Sequence, residues 1–445
     1  MHPMVKPALR RGWRDLNTVQ FGMAPAHAMV LGPMDTATGS FLALLDGTRG
    51  LPLLRDEGRR MGLPDGHVDG LIDRLARSGL LDDATGGGPA ADALRARKAV
   101  LDRLRPDLAS LSLVAPEPGA GLKHLAARRS LRVQVRGAGR VGVVLAALLA
   151  GAGVGEVDVR DNGRVEPWDV APGGLPADSV GERREEAARR AVRRAAPDRP
   201  PRQGRARKSP GGPAQVAPGR GARLAEERRD PLSPDPADPA SGPPLEPEME
   251  LARAQALEPT QELGWSLVIL APRDDLAVHA PDPVAAESLI TSGTPHLYAG
   301  VVEGTGVVGP LVLPGDTACA GCLEQERVDR DPTWPRLVAQ WRSGRPRHVP
   351  ACDLALAAGV AGLAAGHALA FLDGALPSSA GARWQASVPG FDWHPRPVWP
   401  HPACLCGAME KGKGDHTSED GEPHETMAGQ QPYAARLSGT WRAHV

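Results

Sequence analysis

Aromatic residues make up only 3% of the 445 residues, with two Tyr and four Phe among them. A core of this composition must be assembled from Ala, Val and Leu, and the 41% hydrophobic fraction is enough for at least one sizeable core. Lysine is almost absent beside abundant arginine, which reads as coding bias and not as mechanism. Excess charge of one sign is missing too: the formal net charge is −1, which argues against a whole-chain polyelectrolyte role. Met1 to Arg14 contains no apolar h-region, so no secretory signal is expected and the chain is expected to be cytoplasmic. With only five cysteines in such a chain, metal binding or catalysis comes before disulfides. A single long apolar run exists, Leu354 to Leu372, bracketed by Asp353 and Asp373 and containing His367. It is rich in Ala and Gly, and Ala contributes little to membrane insertion. The run is therefore expected to be a closely packed internal helix, with no membrane partner.

Glycine (53) and proline (45) are in excess, and the excess has an address. Residues 197–262 are dominated by Pro, Gly, Arg, Asp and Glu without apolar periodicity. Such a segment cannot bury enough surface to offset its chain entropy and is expected to be a disordered insertion. Residues 408–445 read as a polar, disordered tail. Residues 1–85 form a separate unit: Val68, Leu71, Ile72 and Leu75 mark one face of a helix, and Gly79 marks its stop. Three short helices, with a wing starting at Leu80-Leu81, suggest a winged-helix-like domain. Residues 1–90 carry ten basic and ten acidic side chains, whereas phosphate backbones select a basic excess. Peptide binding or scaffolding is expected there, not nucleic acid. Residues 86–130 read as a helical connector.

From Leu131 the pattern changes. "LRVQV" reads as a buried strand, "RGAGRVG" as a glycine turn, "VVLAALLAGAG" as an apolar helix and "VGEVDVRDNGRV" as a second strand with an acidic end. This is a β-α-β unit and implies a parallel sheet. A charged helix is expected within Gly181–Ala196. The sheet pattern resumes after the insertion in "WSLVILAP", "PHLYAGVV" and "GVVGPLVLPG". The fold class expected for 131–407 is a doubly wound, Rossmann-like α/β sheet.

Gly137, Gly139 and Gly142 form G-x-G-x-x-G between strand and helix. The first permits a tight turn, the second lets the backbone approach a phosphate, and the third lets helix pack on strand. The helix N-terminus then offers free N–H groups to an anion. Asp161 lies 19 residues beyond Gly142 at the end of the next strand, where it suits a ribose hydroxyl. A packing turn without ligand is the alternative. Cys319 and Cys322 form C-x-x-C, and Cys404 and Cys406 form C-x-C after 81 intervening residues. Four thiolates in two pairs suit structural Zn²⁺; a redox C-x-x-C would leave the second pair unexplained. Cys352 stands before the long helix, either as a nucleophile favoured by a helix N-terminus or as a small buried hydrophobe. His296, His348 and His401 read as structural or exposed.

Glycine turn, acidic strand end and two cysteine pairs, in this order and with the segment "GVVGPLVLPGDTACAGCLEQERVDRDPTWP", together resemble the ThiF/MoeB/HesA superfamily of ubiquitin-activating-like adenylyltransferases. The N-terminal unit more loosely resembles the peptide-recognition domains of ribosomal-peptide modification systems. The first resemblance implies attack of a polypeptide C-terminal carboxylate on the α-phosphate of ATP, with Mg²⁺ on the phosphates and zinc as a structural ion. It implies that the family Lys falls on Arg184, and that Asp274, beside Arg273 and Asp275, takes the place of the metal-binding carboxylate. It also implies a homodimer. Two departures stand out: "EPWDVAPGG" has Asp169 where the family has Asn, and no Arg where the family has one.

The leading expectation is an enzyme that activates a peptide or a small ubiquitin-like carrier protein. The other is a catalytically degenerate relative that binds a leader peptide and presents it to a partner modification enzyme. A nicotinamide-dependent dehydrogenase would also use the glycine turn and Asp161, but it leaves the cysteine pairs without a purpose.

Overall fold

The computed structural model describes residues 1–198, 264–343 and 349–409. The expectations for 197–262 and 408–445 fall, but for the first two residues of each, outside the described residues, and so does the expectation for His348.

Three strands of three residues each, β2 (Arg11–Trp13), β3 (Val19–Phe21) and β4 (Met29–Leu31), pair antiparallel near the start of the chain. Three helices follow, α1 (Thr36–Phe41), α2 (Leu51–Arg60) and α3 (His67–Arg77). Asp35 caps α1 by accepting from the Thr38 N–H at 2.7 Å, satisfying a donor that the first turn leaves free. The apolar face of α3 buries Val68, Leu71, Ile72 and Leu75 against Phe21, Phe41 and Leu54. Gly79 then adopts φ +66 just past the helix end, the left-handed position that glycine takes without strain. The segment expected to open a wing is β5 (Leu81–Asp83), and its partner is β1 (Pro3–Val5), from the first residues of the chain.

Helices α4 (Gly88–Ala96), α5 (Lys98–Val114) and α6 (Ala120–Arg128) come next and pack around Leu94, Leu104 and Leu125. Lys6 joins this layer to the first strand: its buried ammonium donates to the Ala115 carbonyl at 2.8 Å. Burial pushes the Lys6 pKa down, and Asp82 opposes that shift.

A large mixed sheet carries the rest. Strand β6 (Arg132–Arg136) lies parallel between β7 (Glu156–Arg160) and β8 (Leu267–Leu270), and β8 is parallel to β9 (His296–Val302). Helix α7 (Arg140–Gly151) connects β6 to β7, and α8 (Arg184–Ala195) packs beside α7. Beyond β9 the sheet turns antiparallel through β10 (Thr305–Val312), β11 (Ala382–Ser387) and β12 (His394–Pro397). The change of direction is local in origin. Glu303 and Gly304 both have positive φ, 46° and 74°, and join β9 to β10 as a two-residue hairpin whose twist suits paired strands. The parallel sheet expected from the β-α-β unit thus accounts for four of the seven strands of this sheet. Strand β12 is exposed and holds two prolines, which an edge tolerates because one side needs no donors.

Leu354–Leu372 is a helix long and apolar enough to cross a membrane by length and composition. In the structure it lies on the sheet, with Leu356, Val360, Ala364 and Ala368 buried against α7, β9 and β10. Gly306 on β10 makes room for it, since a Cβ there would stand 2.6 Å from Val360. On the same face of β9, Leu297, Ala299 and Val301 join the core; Tyr298 points the other way, towards the cysteines.

Arg128, only 5% exposed, clamps this architecture together. It donates to both oxygens of Asp373 at 2.8 and 2.6 Å and to the Ala152 carbonyl at 3.1 Å. It thereby ties α6 to the ends of α7 and of the long helix. Asp373→Ala is expected to lower unfolding stability by roughly 3–5 kcal/mol, because it strands a buried charge. Arg128→Met combined with Asp373→Ala should recover much of that loss in denaturant titration, since no unpaired cation then remains. A double variant as unstable as the single one would overturn this account.

Candidate functional site

The C-terminal ends of β6, β7 and β8 meet at Gly137. Its N–H donates to the Arg160 carbonyl at 2.8 Å, while the neighbouring Arg136 carbonyl accepts from Ala271 at 2.8 Å. A Cβ on Gly137 would lie 1.9 Å from the Ala271 oxygen, and its φ of +116 excludes other residues independently. A Cβ on Gly142 would lie 2.0 Å from the Gly137 oxygen, so the third glycine seats α7 on the turn. Gly139 caps α7 and leaves the helix N-terminus open in the backbone sense, but the stem of Arg273 lies over it. The Arg273 Cγ is 2.6 Å from where a Gly139 Cβ would stand.

Asp161 sits at the end of β7, as expected of a ribose partner, yet its oxygens already have protein partners. Oδ2 accepts from the Ala138 N–H at 2.9 Å and Oδ1 from the Gly163 N–H at 2.8 Å. Arg184 donates to both oxygens, at 2.9 and 3.1 Å. The guanidinium crosses directly over Gly163, where a Cβ would be 2.2 Å from Nη2. Arg184 also donates to the Arg164 carbonyl at 2.7 Å and stands 3.3 Å from Asp169. Asp169 in turn accepts from Arg273 Nε at 2.8 Å, and Arg273 donates to Glu166 as well. Glu166 and Asp169 reciprocally cap the short 3-10 turn Pro167–Asp169. The structure therefore assembles Gly137, Gly139, Gly142, Asp161 and Arg184 at one crest and threads Asp169, Arg273 and Glu166 among them as alternating charges. Neither Asp169 nor Glu166 was expected as a member of this network. The signal available for Glu166 was its capping-box spacing to Asp169.

The cleft at this crest is lined by Gly139, Arg140, Trp168, Arg273, Pro350 and Cys352 among others, and encloses about 100 Å³. Asp274 is not in the lining. It lies one residue further on and caps the helix Asp275–His279, accepting from the Leu276 N–H at 3.1 Å. Burial raises its pKa, and the Asp275 charge beside it adds to the rise. At the other end of that helix, the Val278 and His279 carbonyls accept from Arg383, and the His279 carbonyl accepts from Arg327 at 2.7 Å. Burial drives the His279 pKa down to about 4.

Cys352 precedes the N-cap Asp353 and lies at the cleft wall, where its carbonyl accepts from Arg140 at 2.7 Å. Burial pushes its thiol pKa up, the opposite of what a nucleophile requires. His296 is fully buried, its Nδ1 3.1 Å from the Thr294 carbonyl, and burial holds its pKa at about 4. His401 lies 2.8 Å from an Asp329 oxygen.

The four paired cysteines converge. All four Sγ atoms lie within 4.8 Å of one another. Cys319 is 3.9 Å from Cys322 and 3.5 Å from Cys404, and Cys322 is 3.6 Å from Cys406. Zinc–sulfur bonds of about 2.3 Å in a tetrahedron put sulfurs about 3.8 Å apart, so the cluster is compatible with zinc. Gly321 is needed inside the C-x-x-C, since a Cβ there would lie 2.9 Å from the Cys404 Sγ. Purified protein is expected to hold about one zinc per chain by elemental analysis, with the four thiols protected from titration until a chelator is added. Metal-free protein with all five thiols reacting freely would exclude the site.

The model of the ThiF family matches residues 113–208 and 251–408, more than half of the chain. No curated protein matches the sequence. Among solved structures, the E. coli microcin C7 biosynthetic enzyme MccB in complex with N-formylated MccA superposes with a TM-score of 0.56 at 14% identity, over 92% of this chain and 100% of that one. E. coli MccB with ATP gives 0.54 at 14% identity, over 91% and 99%. PaaA gives 0.56 at 15% identity, over 89% and 100%. At such identities the likeness speaks for the shared fold. The match to the family model goes further, and by it this chain belongs to the ThiF family.

Proposed function

We propose that the chain activates the C-terminal carboxylate of a peptide, or of a small ubiquitin-like carrier protein, with ATP. The observation that carries this reading is the glycine turn. Gly137 and Gly142 are sterically obligatory, and they set the α7 N-terminus where the strand ends converge, an arrangement whose free N–H groups suit a phosphate. In the reaction a carboxylate oxygen attacks the α-phosphorus of ATP. The bond from that phosphorus to the bridging oxygen breaks, and pyrophosphate leaves with the electron pair. Arg184 and Arg273 are the cations at hand to offset charge on the phosphates. Mg²⁺ would be held at the edge of the cleft by Asp274 and Asp275, the two residues that follow the lining residue Arg273, and would supply charge neutralisation to the phosphates once Asp274 turned from its helix cap. Zinc would hold the Cys319, Cys322, Cys404 and Cys406 staple.

For the peptide, the N-terminal unit offers β4 as an edge strand with Met29 and Val30 exposed, suited to pairing with an extended segment. This supports a winged-helix-like peptide-recognition role for residues 1–85. It also fits MccB, which is seen with MccA. A homodimer is part of this reading; the long helix leaves Ala355, Ala358, Gly362 and Gly366 exposed along one side. So is a cytoplasmic site of action, where ATP is supplied and thiols stay reduced.

One observation favours a second reading, a degenerate scaffold that presents a leader peptide to a partner modification enzyme. The cations and carboxylates at the crest neutralise one another, and Arg273 covers Gly139. ATP–pyrophosphate exchange measured with candidate peptides separates the two. Peptide-dependent exchange is the expected result, and Asp274→Asn should cut it about a hundredfold, the scale of one lost transition-state electrostatic contact. Tight peptide binding with no exchange would instead establish the scaffold.

A further inference from the structure

We propose that Arg273 is a triphosphate-binding residue held in reserve: Glu166 and Asp169 tether it across Gly139, and incoming nucleotide draws it onto the phosphates. The proposal rests on the nucleotide site put forward above and deepens it by saying how one of its two cations reaches the phosphates; the segment Glu166–Gly174 contains no arginine to do so.

Three features of the geometry point this way. The first is position. The Arg273 stem lies directly on Gly139, so its guanidinium starts within one side-chain length of any phosphate bound at the α7 N-terminus. The second is how easily it can leave. Glu166 is 40% exposed and readily rehydrated. Asp169, only 4% exposed, would not be stranded, because it keeps the Glu166 N–H at 2.9 Å and Arg184 at 3.3 Å. The third is charge. A triphosphate bound in the cleft beside Asp169 is repelled by it and by nearby Glu166, and the cation that pairs with those carboxylates in the free protein is the one that must face the phosphates in the complex. The other arginine lining the cleft, Arg140, is anchored to the Cys352 carbonyl at 2.7 Å.

Removing the residue and removing its tether should act in opposite directions. In calorimetry on the full chain, Arg273→Ala is expected to weaken ATP binding at least about tenfold, the scale of a lost charge-assisted contact, while adenosine binds as to the wild type. Glu166→Gln loosens the tether and is expected to strengthen ATP binding severalfold. Arg273→Lys, which keeps the charge, should recover part of the loss and stands in if the alanine variant does not fold. If Arg273→Ala binds ATP as well as the wild type or better, the side chain only fills the cradle and the proposal fails while the nucleotide site survives. If the wild type binds neither ATP nor adenosine, the nucleotide site itself is overturned, and this proposal with it.

Discussion

The crest of the sheet depends on one carboxylate, Asp169. It is 4% exposed and faces two guanidiniums, Arg273 at 2.8 Å and Arg184 at 3.3 Å. A buried carboxylate without partners would be intolerable, so its presence dictates the positions of both arginines. Arg184 then fixes Asp161, and Asp161 fixes the backbone of the glycine turn through the Ala138 N–H. The order of charges along this chain, alternating in sign from Asp161 to Glu166, is what lets five ionised groups crowd together at the ends of three strands.

The core beneath has the opposite character. It is nearly free of polar groups and is made from small residues, which lets the long helix, α7 and the sheet approach one another closely. Ala361, Ala364, Ala365 and Ala368 are buried along one helix, so contact there comes from backbone proximity more than from long side chains. The scarcity of aromatics fits that geometry. The Trp rings that do occur, such as Trp384 and Trp393, pack at its margins.

What the sequence revealed followed the length of each element. The parallel strands β6 and β8, α7 and the long helix carry runs long enough for apolar pattern to show, and all were legible. The strands β1 to β5 hold three residues each, too few for alternation to emerge. The antiparallel half of the sheet was hidden differently. "VVEGTGVV" carries a hairpin turn at Glu303-Gly304, but its flanks also fit two buried strands of a parallel sheet. At the site, types and spacings identified the glycines and the four converging cysteines, because a turn and a tetrahedral thiolate site demand particular residues. Spacing could not reveal that Asp161 is already bonded by the protein, nor that Arg273 and not Asp274 faces the cleft. Those depend on side-chain direction one residue beyond a strand end.

The cysteine cluster and the carboxylates beyond β8 look independent in the sequence, yet they share a support. The helix Ala320–Arg330 begins at Cys319 and extends to Arg327, whose guanidinium stacks on Trp334 and donates to the His279 carbonyl. Arg383 from β11 holds the same carbonyl end. Burial pushes the pKa of Arg383 down to about 9, which still leaves it charged at neutral pH, whereas His279 is neutral there and adds no third cation. Two guanidiniums, buried Arg383 and half-buried Arg327, thus hold the C-terminus of a helix of five residues, too short to be stable alone. Cations at that end satisfy its free carbonyls and its dipole. The helix they hold is the one capped by Asp274. Displacing the helix that starts at the cysteine cluster would move Arg327, and with it the carbonyl end of the helix that Asp274 caps.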